Sequence, residues 1–73
     1  MTIKTEQFKQ LKKILNKINY LNKFAIAKII SQDNNYYYIK INNGWVTEIL
    51  KDNLINMNDL NIEQEARFIL SNY

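Results

Sequence analysis

Four lysines, Lys9, Lys12, Lys13 and Lys17, are the side chains of this sequence best spaced to act together, and their chemistry is electrostatic. Lys9, Lys13 and Lys17 recur at i, i+4 and i+8, which on a helix is a single stripe, and Tyr20 continues it. An ammonium stripe suits a phosphate backbone, because each phosphate it neutralises releases counterion. It also suits an acidic protein, an anionic membrane surface, or water alone, as the solvated face of an amphipathic helix. A membrane role fits least, because so small a core needs the apolar side of the same helix. The four are lysines and not arginines, which points away from direct base reading, where Arg is the commonest specific contact.

A second set of residues lies in YYYIKINNGWVTEIL, from Tyr36 to Leu50. Tyr36, Tyr38, Lys40 and Trp45 fall on one side of a hairpin if Asn43-Gly44 is a two-residue type I′ turn, the connection that this dipeptide favours. That turn sets Asn42 opposite Trp45, Ile41 opposite Val46, Lys40 opposite Thr47, Ile39 opposite Glu48 and Tyr38 opposite Ile49. One face then carries Tyr37, Ile39, Ile41, Val46 and Leu50, with Glu48 as its one misfit. The other carries Tyr36, Tyr38, Lys40, Trp45, Thr47 and Ile49. Rings on an open sheet stack bases at about 1–3 kcal/mol each while a Lys meets phosphate. Rings beside aliphatic groups also make protein hot spots, or form cross-strand pairs whose only role is to hold the sheet.

Catalytic chemistry is poorly represented. The sequence has no His and no Cys, so the usual general base near neutral pH and the usual soft metal ligands are missing. A single Gly excludes G-x-S-x-G, Walker and G-x-G-x-x-G loops. Asp33-Asn34-Asn35 begins like a calcium loop, but Tyr36 to Tyr38 stand where further ligands and a Gly belong. A non-enzymatic binding protein without metal or cofactor is the expectation.

The elements that must position these residues follow from periodicity. Phe8, Leu11, Ile14, Leu15, Ile18 and Leu21 share one arc of a helix over Thr5 to Leu21, with Thr5 as N-cap and Asn22 as terminator. Phe24 to Ile30 reads as a strand, SQDNN as a turn, and Tyr36 to Ile41 and Trp45 to Leu50 as two further strands. A short helix is an option at 53–59, where Leu54, Met57 and Leu60 fall at helical spacing. Asn61 with Gln64 then caps a last helix that buries Ile62, Ala66, Ile69, Leu70 and Tyr73 and pairs Glu63 with Arg67. The fold class is α+β, a three-stranded antiparallel meander packed with an N-terminal and a C-terminal helix, in the order α-β-β-β-α.

This order resembles that of double-stranded RNA-binding domains, in topology alone. Those domains hold phosphate with Lys at the start of their last helix. The corresponding NIEQEARF here offers Glu63 and Glu65 instead, and no residue carries over.

At 73 residues the sequence reads as one small domain. Such a chain buries only about 60% of the surface its unfolded form exposes. With no Cys to staple it, association with another chain, including a homodimer, is a natural aid. The composition, 47% hydrophobic and 12% aromatic, is that of a folded chain. No apolar run reaches the ~20 residues that span a bilayer, and MTIKTEQFKQ lacks the apolar core of a signal peptide. Twelve asparagines form no N-x-Ser/Thr acceptor, so a cytoplasmic location is expected. The abundance of Ile, Asn and Lys matches an AT-rich genome, as in low-GC bacteria, their phages or organelles.

Charge is unevenly divided. Residues 1–40 hold eight Lys against Glu6 and Asp33, while residues 41–73 hold Lys51 and Arg67 against five acids. Three functions fit. The first is binding to nucleic acid or a nucleic-acid-processing machine, through the basic helix and the aromatic face. The second is a phage or mobile-element inhibitor that binds a host protein or ribonucleoprotein, as anti-CRISPR proteins do, though its basic charge argues against DNA mimicry. The third is a self-associating structural subunit that uses the aromatic face as its own interface.

Overall fold

The computed structural model describes residues 3–42 and 44–73. Helix α1 spans Ile3–Leu21. Strands β1 (Ala27–Gln32), β2 (Tyr36–Ile41) and β3 (Trp45–Leu50) follow, then a 3-10 turn at Lys51–Leu54 and helix α2 (Asp59–Ser71). The strands form an antiparallel sheet in the order β1-β2-β3. The order α-β-β-β-α and the α+β class are those expected from the sequence.

Both helices lie on one face of the sheet. Leu11, Ile14 and Ile18 of α1, Ile62, Ala66 and Ile69 of α2, and Leu54 share one buried core with Tyr37, Ile39, Ile41 and Ile49 of the sheet. The arc of α1 is rotated from the expected one. Gln7 and Gln10 are buried, Leu15 and Leu21 are partly buried, and Phe8 is exposed.

Several boundaries differ from expectation, each for a local reason. Backbone helix is already present at Ile3, so Thr5 lies inside α1 and is not its N-cap. The helix ends at Leu21 as expected, and Asn22 Oδ1 accepts the Phe24 amide. Phe24, expected to begin β1, is 87% exposed, and Ala25 is buried in its place. Strand β1 runs on through Ser31 and Gln32 because a bulge between Ile29 and Ser31 absorbs one extra residue. The turn proper is Asp33–Asn35, closed by Asp33 Oδ1 accepting from the amides of Asn35 (2.8 Å) and Tyr36 (2.7 Å).

Helix α2 begins earlier than Asn61. Asn58 is its N-cap, and the Asn58 and Asn61 side chains each accept from the other's backbone amide. The option of a short helix at 53–59 is replaced by the 3-10 turn at Lys51–Leu54, which drives Leu54 into the core and leaves Leu60 exposed.

The largest correction concerns the hairpin. Ile41 pairs with Trp45, Lys40 with Val46, Ile39 with Thr47, Tyr38 with Glu48, Tyr37 with Ile49 and Tyr36 with Leu50. The connection therefore spans residues 42–44, and the register is one residue away from that of a two-residue turn. Asn43, half of the expected type I′ pair, lies outside the described residues. The cause sits at Asn42. Its amide donates to Ile26 O (2.9 Å) and its Oδ1 accepts the Ile26 amide (3.0 Å), which holds it beside the start of β1 and out of the β3 ladder. Its φ of 54° is left-handed, a region that Asn tolerates better than most residues.

Candidate functional site

A one-residue shift moves every side chain of β3 to the other face. Trp45, Thr47 and Ile49 turn toward the helices, and Val46, Glu48 and Leu50 turn outward. Ile49 becomes core, Val46 becomes exposed, and Glu48 leaves the interior for water, so its misfit disappears. Trp45 does not join Tyr36 and Tyr38. It is half-buried against the core and meets the ring of Tyr73 at 6.2 Å, tilted by 49°. The aromatic face expected from Tyr36, Tyr38, Lys40 and Trp45 is thus broken up.

What remains outside is a sheet face that no helix covers. Its rows are Lys28, Lys40 and Val46 toward the hairpin tip, then Ser31, Tyr38 and Glu48, then Tyr36 and Leu50. The rings of Tyr36 and Tyr38 lie 6.4 Å apart. Tyr38 donates its hydroxyl to Asp33 Oδ2 at 2.6 Å. Two carboxylates, Asp33 and Glu48, therefore flank the rings on which bases would stack, and they oppose a phosphate chain laid across this face. Lys28 and Glu48 belong to the face and are not among the binding residues expected from the sequence. The misplaced Glu48 was the one sign of the true register.

Lys9, Lys12, Lys13 and Lys17 stand on the opposite side of the molecule, because the helix turns Leu11, Ile14 and Ile18 toward the sheet. Lys9, Lys12 and Lys13 are exposed and Lys17 is half-buried. Lys12 lies over the Phe8 ring at 5.6 Å and Lys17 over the Tyr20 ring at 5.0 Å, contacts that orient the ammonium groups without neutralising them. Lys13, Lys17 and Tyr20 line an open groove of about 470 Å³ between α1 and α2, with Asn16, Asp59 and Ile62. Lys12 instead borders a depression against the edge strand β1. Among the described residues the one ion pair is Arg67–Glu63 at 3.3 Å, so none of the four lysines is paired with a carboxylate. The other groove of similar size, about 450 Å³ beside the 3-10 turn and α2, is lined by Ile55, Met57, Glu65 and Phe68 with four Asn and Gln side chains and no cation.

Of the expected site residues, then, Lys9, Lys12, Lys13, Lys17 and Tyr20 share one flank, Tyr36, Tyr38 and Lys40 share the reverse side, and Trp45 belongs to neither. The sheet and its core lie between the two sets. Among the described residues no group of three or more acidic side chains could hold a metal ion, and no helix is long and apolar enough to cross a membrane. The chain matches no protein-family model, no curated protein and no solved structure.

Proposed function

We propose that this chain is a small binding protein, not an enzyme, that attaches to nucleic acid through the exposed flank of α1. The observation that supports this reading is the grouping of Lys9, Lys12, Lys13 and Lys17 on one helix, with no carboxylate paired to any of them among the described residues. Successive lysines of the Lys9–Lys13–Lys17 stripe rise about 6 Å along the helix, so the stripe is about 12 Å long. Several phosphates of a duplex pass within that length. Tyr20, 77% exposed at the end of the stripe, supplies one ring for a sugar or an unpaired base. Contact through lysine with the backbone favours affinity over sequence discrimination. Where this chemistry meets its target, on free nucleic acid or on a ribonucleoprotein of the cytoplasm, is part of the proposal.

The test is a titration with duplex and single-stranded DNA and RNA, followed by anisotropy at low and moderate salt. Affinity should fall steeply with salt and be lost when Lys9, Lys13 and Lys17 are all replaced by Glu. Absence of binding at low salt to every one of these nucleic acids would overturn the reading and turn attention to an acidic protein partner.

A further inference from the structure

The uncovered sheet face carries its own complement. Lys28 and Lys40 are directly opposed across β1 and β2, an arrangement of like charges that costs stability within one chain. Glu48 stands one row away on β3, opposite Tyr38, with no cation paired to it among the described residues. Between and around these charges lie Val46, which is 49% exposed, Leu50 and the two tyrosine rings. A single face thus presents unpaired cations, the unpaired anion Glu48 beside the hydrogen-bonded Asp33 carboxylate, and apolar surface.

We propose that this face is the contact between two copies of the chain, packed sheet to sheet with their strands nearly perpendicular. Strands lie about 4.8 Å apart, and residues of one face recur about every 6.7 Å along a strand. On that grid Lys40 sits one row along the sheet from Tyr38, and Glu48 sits one strand across from it. A two-fold axis running diagonally through Tyr38 exchanges these two directions. It brings Lys40 of each copy over Glu48 of the other, Val46 over Val46 and Tyr38 over Tyr38. The opposite diagonal sets Lys28 over Lys28, and the charges exclude it. Orthogonal packing is one of the two common ways for sheets to meet. The face measures roughly 14 by 20 Å, well short of the ~800 Å² per partner of a standard interface. The dimer is therefore weak and forms with rising concentration. It leaves both α1 flanks outside, so it stands apart from the proposed role of those lysines.

Sedimentation equilibrium of the full chain at low salt, up to about 1 mM, the range of weak affinities, tests this. The mass should climb toward twice that of the monomer. Lys40→Glu and Glu48→Lys should each weaken the dimer tenfold or more, since each sets like charges face to face twice. An equimolar mixture of the two variants should associate again, as should the double variant Lys40→Glu/Glu48→Lys. Both positions lie on the outer face and far-ultraviolet circular dichroism verifies the fold. A monomer at every concentration, a dimer indifferent to both single changes, or a mixture that stays monomeric would each overturn the proposal.

Discussion

Tyr38 donates its phenolic hydrogen to Asp33 Oδ2 at 2.6 Å, while Oδ1 of the same carboxylate accepts from the amides of Asn35 and Tyr36. One side chain thereby closes the β1–β2 turn and fixes a ring on the outer sheet face. The hydroxyl, and after it the two amides, hold the Asp33 carboxyl below its usual range. The same bond is the main cause that pushes the Tyr38 phenol up to about 12. For Asp33 the folded value is the lower one, so its contribution is present above about pH 4 and is lost as pH falls through the folded value. For Tyr38 the folded value is the higher one, so its contribution is full below about pH 10 and is lost as pH rises toward 12. In an alkaline absorbance titration one of the five tyrosines should therefore ionise well after the free phenol does, and Tyr38→Phe should remove that late step.

Asn42 should be a hinge of stability despite its exposure. It joins Ile26, just before β1, through two bonds, and Tyr73, just after α2, through Nδ2 donating to the phenolic hydroxyl. Asn42→Ala should cost about 1–2 kcal/mol in urea unfolding, from lost hydrogen bonds and a positive φ that Ala resists. Asn42→Gly should cost less, since Gly takes the same backbone conformation freely. Equal costs for the two would show that backbone conformation is irrelevant at this position.

The core should be sensitive where the sequence is most ordinary. Ile14 is fully buried among both helices and the sheet. Ile14→Ala should cost about 2–5 kcal/mol, a large share of the roughly 4–11 kcal/mol that a chain of this size commands. Phe24 is larger but points into water. Phe24→Ser should change stability by no more than about 0.5 kcal/mol. Thermal unfolding of the two variants side by side gives the comparison.

Gln10 is an opportunity for stabilisation. It is 6% exposed, its Nε2 donates to Glu6 Oε1 at 2.8 Å, and its Oε1 has no partner among the described residues. An unmet buried acceptor costs about 1–3 kcal/mol. Gln10→Met, similar in shape and free of that acceptor, should raise the midpoint of thermal unfolding. A fall would mean that the Gln10–Glu6 bond outweighs the orphaned oxygen.

If the α1 flank holds phosphates, salt should report on it lysine by lysine. Each phosphate contact adds about 0.9 to the slope of log affinity against log salt on duplex DNA. Replacing Lys9, Lys13 and Lys17 by Gln should flatten the slope by about 3, with little change in preference between sequences.

The periodic parts of this fold could be read directly from the sequence. Strands β2 and β3 run between the expected residues, and the Glu63–Arg67 pair forms as its spacing implies. The lysine flank could also be read, because it depends only on helical period. The aromatic face could not. Its membership turns on register, and register here is set by Asn42 reaching Ile26, sixteen positions away in sequence. No local pattern announces such a contact, and Asn-Gly pointed to the shorter turn. The bulge at Ile30 escaped for a similar reason, since it depends on what the neighbouring strand leaves unpaired. The Asn58 cap is local, a reciprocal pair with Asn61 three positions on, and escaped because Asn61 with Gln64 offers the same spacing.

The connection at 42–44 has an odd number of residues, and that parity is a switch. An even connection would keep both strands and their composition yet exchange the two halves of β3, lifting Trp45, Thr47 and Ile49 into water and driving Glu48 inward. Whether Asn42 belongs to the connection or to β2 thus acts as a one-bit code for which surface the molecule shows. A slip of that single residue would rewrite a whole face while the sequence stayed the same.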